Sequence, residues 1–152
     1  MTQLVNDRRR MFWVVSWLLA GWIAWELFYY EQFKLNASEG SVQGVFQPLA
    51  DWFGLPRQEA VFRWAVALLE IMAATLVINQ PTRWFGALMT MGLMGGAVFL
   101  HAFGPIGIDP YNDGAVLFKE ACFTLLVSLA LFVMHREDAR AFISVVRSPA
   151  RV

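Results

Sequence analysis

Three carboxylates and one histidine lie inside stretches of the sequence that are mostly apolar, and their types could do chemistry there. They are Glu26, Glu70, His101 and Glu120. A charge near the centre of a bilayer costs at least about 2.5–3.5 kcal/mol, so such residues usually serve a ligand, an ion or a proton. Carboxylates and an imidazole could hold a divalent metal, relay a proton or hydrogen-bond a quinone carbonyl.

The depth of these residues along their helices suggests one shared site. At 1.5 Å per residue, Glu26, His101 and Glu120 fall at a similar level toward one membrane surface, and Glu70 falls near the midplane. The sequence therefore predicts a polar intramembrane site built from these four residues, with a proton or a polar ligand favoured over a metal. Further contributors are predicted at Tyr30, Lys119, Asp109 and Asp113.

A structural interpretation stays open for each of these side chains. The acids could pair locally, Glu26 with Tyr30, and Glu120 with Lys119 or Arg63. His101 could be a hydrogen-bonded packing residue near a helix end. Glu70 is too deep to reach water easily, so a special role or a buried partner is expected for it.

The elements that must position these residues are transmembrane helices. Of the 152 residues, 58% are hydrophobic and 16% are charged, whereas soluble domains are about 45–50% apolar and about 25% charged. Four apolar runs are long enough to span a bilayer. The sequence thus predicts an all-α integral membrane four-helix bundle at residues 11–134, with spans at about 11–30, 60–78, 84–103 and 115–134.

The distribution of positive charge predicts the orientation of these spans. Eight arginines fall before the first span, between the second and third spans, or after the fourth, whereas the opposite side has Lys34, Arg57 and Arg63. By the positive-inside rule, residues 1–10 are a cytoplasmic N-terminus and 135–152 a cytoplasmic tail. Glu31 and Lys34 then belong to the first outer loop.

Two further patterns concern packing. Apolar residues between Val42 and Phe53 recur at helical spacing around Pro48, which predicts a short, kinked amphipathic helix on the outer membrane surface. A loop segment packed over the mouth of the bundle is the equally weighted alternative. Gly92 and Gly96 form a small-xxx-small motif, which predicts a helix-packing face.

Several kinds of chemistry are excluded or disfavoured. The chain has one cysteine, which rules out an intrachain disulfide, and it lacks haem, iron–sulfur and Cys/His metal-site motifs. No metal is therefore predicted, and the cofactor stays open, a quinone being one option. The net charge is zero, so nothing marks the chain as a nucleic-acid binder.

A series of short motifs resembles the DoxX family of small four-helix bacterial membrane proteins. Between about Trp22 and Leu131 they are the segments 30–34 (YEQFK), 38–41 (SEGS), 81–83 (PTR), 104–109 (GPIGID) and 114–120 (GAVLFKE), together with Glu70 and His101. The resemblance implies the four-span fold, the bacterial cytoplasmic (inner) membrane, and an association with redox or oxidative-stress systems.

The leading functional prediction is therefore a membrane subunit or accessory protein of a redox or respiratory complex, with contact to a quinone left open. A non-catalytic subunit is expected; if the chain is catalytic, it would be an oxidoreductase component. The alternatives are a bundle that binds or transports a small molecule, a proton or a metal ion, and a purely structural subunit. The expected partners are the lipid bilayer and either another membrane protein or further copies of this chain.

Overall fold

The computed structural model describes residues 2–147, and over this range the chain is helical and contains no strand. Met1 and the last five residues of the predicted tail, 148–152, lie outside the described residues. The helices are α1 (Thr2–Leu35), α2 (Glu39–Ser41), α3 (Gln47–Trp52), α4 (Glu59–Ile78), α5 (Arg83–Ala102), α6 (Val116–Met134) and α7 (Arg136–Arg147).

Four of these helices are long and apolar enough to cross a membrane, namely α1, α4, α5 and α6. The all-helical fold class is thereby confirmed for the described chain, as is the presence of four helices long and apolar enough to span a membrane; their topology stays a prediction. α1 contacts α4 and α6, and α5 contacts the same two helices. Alanines dominate the shared core, among them Ala20, Ala74 and Ala121. Small side chains let neighbouring backbones approach closely, which is how membrane helices associate.

The first helix is longer than its apolar run, and it continues past Tyr30 to Leu35. Between Gly21 and Gly40 the sequence has no glycine or proline to end it. The helix stops where Ala37 adopts a left-handed φ of 49° and the Ser38 N–H donates to the Phe33 carbonyl at 3.0 Å. The placement of Glu31 and Lys34 in the outer loop is therefore wrong, because both lie on α1.

The segment after α1 is helical and also packed against the long helices. A π-helical turn over Val42–Phe46 joins α2 and α3. It lies just before Pro48, whose ring would clash with the carbonyl oxygen four residues earlier in an ordinary α-helix. Phe46, Leu49 and Ala50 are buried, and the segment contacts α4. The helical interpretation and the packed interpretation of this segment are thus both correct in part.

A compact loop connects α5 to α6. The Asp109 carboxylate accepts hydrogen bonds from the backbone N–H groups of Asp113 at 3.0 Å and Gly114 at 3.2 Å. Asp113 in turn accepts from the Val116 N–H at 3.1 Å, which is the first N–H group of α6. Desolvation opposes the charge on Asp109, but these backbone hydrogen bonds hold its pKa below the ordinary value of 3.8.

The end of the molecule away from this loop is tied together by Arg83, which is 1% exposed. Its guanidinium donates to the carbonyls of Val77 and Ile78 at the end of α4, and to the Ser16 hydroxyl on α1 at 2.9 Å. Ser16 also hydrogen-bonds His135 Nε2 at 2.7 Å, just after α6. One buried polar network therefore joins the end of α4, the start of α5 and the end of α6 to the middle of α1.

Candidate ligand-binding cavity

A cavity of about 710 Å³ lies between the long helices at the end opposite Arg83. Its walls are mostly apolar and come from α1, α4, α5, α6 and the α2–α3 segment, with Leu27, Phe46, Val66, Met94 and Leu117 among the lining residues. Small-molecule sites in proteins are typically concave, largely apolar and about 300–1,000 Å³ in volume. The size and lining of this cavity therefore suit a lipophilic small molecule.

The cavity brings together three of the four residues predicted to form the polar site. Glu26, Glu70 and His101 all line it, as do Tyr30 and Asp113 among the predicted contributors. Glu120 does not line it and contacts it through Tyr30. Within the described part of the chain, no three His, Cys, Asp or Glu side chains converge in a way that could hold a metal ion.

Glu26 is the least satisfied of these residues. It is 4% exposed, and its Oε2 atom is buried without a hydrogen-bond partner in the described chain. The predicted pairing of Glu26 with Tyr30 is wrong, because the Tyr30 hydroxyl crosses to α6 and donates to Glu120 instead. A buried carboxylate oxygen that lacks a partner loses its hydration without compensation, and this is costly.

Glu70 has a buried partner, the ammonium group of Lys34. Lys34 Nζ lies 2.5 Å from Glu70 Oε2 and 3.2 Å from Glu31 Oε1, so one lysine bridges carboxylates on α1 and α4. Arg63 donates to the Lys34 carbonyl at 2.5 Å and pairs with Glu59 at 2.7 Å. Lys34 on α1 and Arg63 on α4 are therefore both paired with nearby acids of the chain.

Glu120 faces α1, and so does Thr124, one helical turn further along α6. Tyr30 donates to its carboxylate, and one turn further the Trp22 indole donates to Thr124 Oγ1 at 3.1 Å. The predicted pairing of Glu120 with Lys119 or Arg63 is therefore wrong. Lys119 is exposed on the other side of α6, since consecutive helical residues point in different directions.

His101 is buried and its ring is held by the loop that follows α5. Its Nδ1 lies 2.6 Å from the Gly107 carbonyl oxygen. A carbonyl can only accept, so Nδ1 carries the proton, and in the neutral ring Nε2 is left as an acceptor. This contact matches the packing interpretation of His101, while its place in the cavity wall also leaves it accessible to a ligand.

The remaining predicted residues occupy three different settings. Asp109 is exposed and shapes the α5–α6 loop, outside the cavity wall. Gly92 and Gly96 line the cavity, and a Cβ added at either position would meet no heavy atom within 4 Å. These two glycines therefore do not pack against another helix of the described chain, and they leave room in the cavity.

Two polar residues of this region, Glu31 and Lys34, were not among the predicted site residues. Glu31 is as deeply buried as Glu26, at 4% exposure, and Lys34 lines the cavity. A signal for them exists in the sequence, because Ile23, Leu27, Glu31 and Lys34 follow one helical face at spacings of three and four. Ending the first span at its last apolar residue hid this continuation.

Fold and site together define a class: an all-helical, multi-pass membrane protein with a mostly apolar internal cavity that carries a few buried polar groups. No family model matches the sequence, and neither a curated protein nor a solved structure matches it. The resemblance to the DoxX family therefore stays a prediction.

Proposed function

We propose that the protein binds a lipophilic small molecule with a polar head group inside the membrane. The observation that carries this proposal is the cavity, which is apolar over most of its wall and contains the unpartnered Glu26 carboxylate. A few polar groups in an apolar pocket are the usual means of orienting such a ligand. A ligand that hydrogen-bonds Glu26 would also remove the cost of its buried, unpaired oxygen.

The setting of this function is part of the same proposal. The four long helices form a transmembrane bundle in the bacterial inner membrane, with both termini in the cytoplasm and the cavity in the outer half. The positive-inside bias of the arginines supports this orientation. The bilayer supplies the lipophilic ligand, and the expected protein partner is another membrane protein or a second copy of the chain.

A second candidate is a non-catalytic subunit of a redox complex, and the DoxX-like motifs favour it. Quinone binding would unite the two candidates, because a quinone is lipophilic and hydrogen-bonds through its head group. Purification from native membranes in mild detergent tests this candidate. Mass spectrometry should then find a redox protein or a quinone with the chain, and recovery of the chain alone would count against a redox role.

Filling the cavity tests the binding function itself. Gly96→Leu adds a side chain into the cavity without a clash, since no heavy atom lies within 4 Å of its added Cβ. Gly21→Leu is the matched control, because Gly21 is equally unhindered, lies outside the cavity and is exposed on α1. Small molecules extracted from each purified protein, and binding of a decyl-substituted benzoquinone, decan-1-ol and decylamine in nanodiscs, are the readouts.

We expect the wild type and Gly21→Leu to carry the same extracted molecule, and Gly96→Leu to lose it or to bind the probes at least about tenfold more weakly. The binding function would be excluded if the wild type carried no small molecule and bound none of the three probes. Equal binding by Gly96→Leu and the wild type would place the ligand outside this cavity.

A further inference from the structure

The polar groups of the cavity wall differ in whether they already have a hydrogen-bond partner within the chain. Among the described residues of its wall, Lys34 is the one lysine or arginine, and its ammonium group already serves Glu31 and Glu70. The Tyr30 hydroxyl is used by Glu120, and the proton on His101 Nδ1 is used by Gly107. These three donors of the wall are thus occupied within the chain, whereas the Ser41 hydroxyl, which also lines the cavity, has no partner among the described residues.

The acceptors, in contrast, are left open. Glu26 Oε2 has no partner, and neutral His101 presents Nε2 as an acceptor. The wall therefore offers two acceptors, Glu26 and His101, that a donating ligand would satisfy, together with the Ser41 hydroxyl, which can donate or accept. A quinone has carbonyl acceptors and no donor, so it could use Ser41 but would leave Glu26 and His101 without a partner. The absence of a metal-holding cluster among the described residues also argues against a metal ion as the ligand.

Charge points in the same direction as hydrogen bonding. Lys34 is the one lysine or arginine of the described cavity wall, whereas Glu26, Glu31 and Glu70 are all buried around the cavity end of α1 and α4. The neighbouring Arg63 is already paired with Glu59. The excess is therefore negative beside a mostly apolar wall, where a buried charge is poorly solvated. Tyr29, Tyr30 and Phe33 also line the cavity, and aromatic faces attract ammonium groups.

We propose that the cavity binds a lipophilic amine, whose ammonium group donates to Glu26 and whose hydrocarbon body lies against the apolar wall. This inference rests on the proposed function, since it names the ligand class of the same cavity. Glu26 is the residue that recognises the head group. The Lys34 pairs with Glu31 and Glu70 hold α1 against α4 beside it and do not contact the ligand.

A matched pair of probes tests the ligand class. Decylamine and decan-1-ol share a chain length and differ in head group, and each is titrated against the protein in phosphatidylcholine nanodiscs, with empty nanodiscs as the blank. We expect the wild type to bind decylamine at least about tenfold more tightly than decan-1-ol, since a charged hydrogen bond in a low-dielectric site is worth at least about 1.4 kcal/mol.

Glu26→Gln keeps the shape of the side chain and removes its charge, so it should abolish this preference by weakening decylamine binding much more than decan-1-ol binding. Removing an unpaired buried charge should not lower the melting temperature, which makes the variant safe for folding. Glu137→Gln is the control, because it makes the same chemical change on α7, at an exposed position near the opposite end of the molecule. It should bind both probes like the wild type.

The outcomes separate the two proposals. If decan-1-ol or the decyl benzoquinone binds the wild type as tightly as decylamine, the amine proposal is overturned and the binding function stands. The same holds if Glu26→Gln retains the preference for the amine. If the wild type binds none of these probes and carries no extracted small molecule, the binding function fails as well. The wild-type comparison needs no variant, so a folding defect cannot hide the answer.

Discussion

At the level of single residues, the ammonium group of Lys34 has a large structural role. It pairs with Glu31 on its own helix and with Glu70 on α4. Both pairs are buried, and Glu31 has a second oxygen without a partner in the described chain. Buried ion pairs contribute little beyond a well-packed apolar alternative, but removing one member leaves an uncompensated charge. The loss of stability on removing one partner can therefore be measured and compared with the loss on removing both.

Lys34→Met should lower the free energy of unfolding by about 3–5 kcal/mol, because it leaves Glu31 and Glu70 buried without a cation. The double variant with Glu70→Met should be less destabilised than the sum of its single changes. Denaturant titration in mixed micelles measures both effects. Lys119→Met is the control, since Lys119 is exposed on α6. A wild-type unfolding midpoint in Lys34→Met would show that the bridge is absent in the membrane.

Tyr30 and Tyr29 offer a second comparison of neighbours. The Tyr30 hydroxyl donates to Glu120, whereas the Tyr29 side chain is partly exposed, at 44%. Tyr30→Phe should cost about 1.5–3 kcal/mol of unfolding free energy, because it deprives a carboxylate of a hydrogen bond. Tyr29→Phe should change it by less than about 0.5 kcal/mol. Equal effects of the two substitutions in the same titration would contradict the Tyr30–Glu120 contact.

Residue types and spacing predicted which side chains to examine, but they did not predict the partners. Glu26, Glu70 and His101 stood out because charge is rare in apolar runs, and all three line the cavity. Their contacts depend on how one helix is rotated against another, which a single sequence does not specify. Tyr30 thus reaches Glu120 on another helix in preference to Glu26 one turn away.

At the level of elements, helix ends were predictable where glycine, proline or a capping acid marks them. Pro56 begins the turn before α4, and the Asp113 carboxylate accepts from the first N–H group of α6. The end of α1 was missed because no such residue occurs there, and Ala37 must adopt the left-handed turn. The π-helical turn before Pro48 likewise has no separate signature in the sequence.

The α5–α6 loop should respond to acid through Asp109. The pKa of Asp109 is lowered in the folded chain, so the ionised carboxylate stabilises the fold at pH values above its ordinary pKa of 3.8. That contribution is lost as the pH falls below this value and through the lowered pKa. Asp109→Asn should therefore melt below the wild type at neutral pH, and the gap between the two melting temperatures should close in acid.

Thermal unfolding of both proteins in micelles across this pH range measures the gap. Asp7→Asn is the control, because Asp7 is an exposed acid on α1, and it should follow the wild type throughout. A gap between Asp109→Asn and the wild type that persists unchanged in acid would show that the carboxylate charge does not hold the loop.

At the level of the whole molecule, composition and hydropathy were enough to predict an all-helical chain with four membrane-spanning helices. The cavity was not predictable, because it is space left between helices and no residue pattern encodes it directly. The count of lysines and arginines in the sequence likewise does not show which of these side chains are buried in the fold. Arg83 counts toward the positive-inside bias and Lys34 and Arg63 count against it, yet all three side chains are largely buried after folding.

The orientation can be tested by cysteine labelling in intact cells, on a background in which Cys122 is replaced by alanine. Charge bias acts during insertion, before these side chains are buried, so we expect both termini inside. A membrane-impermeant maleimide should react with Asn112→Cys and not with Ser144→Cys, both positions being exposed in the folded chain. Permeabilised cells should label both. The reverse pattern in intact cells would invert the topology.

The Arg83 network has a mechanical consequence for α5, which begins at this network. At the cavity end, polar side-chain contacts of the described residues join α1 to α4 through Lys34 and α1 to α6 through Tyr30, whereas His101 on α5 bonds only the loop that follows it. α5 has 20 residues, which at 1.5 Å per residue make a rod of about 30 Å. A tilt of about 4° about its Arg83 end moves its far end by about 2 Å. A small change in the tilt of α5 would therefore change the width of the cavity, which on the proposed function lets the same wall accommodate ligands of different widths.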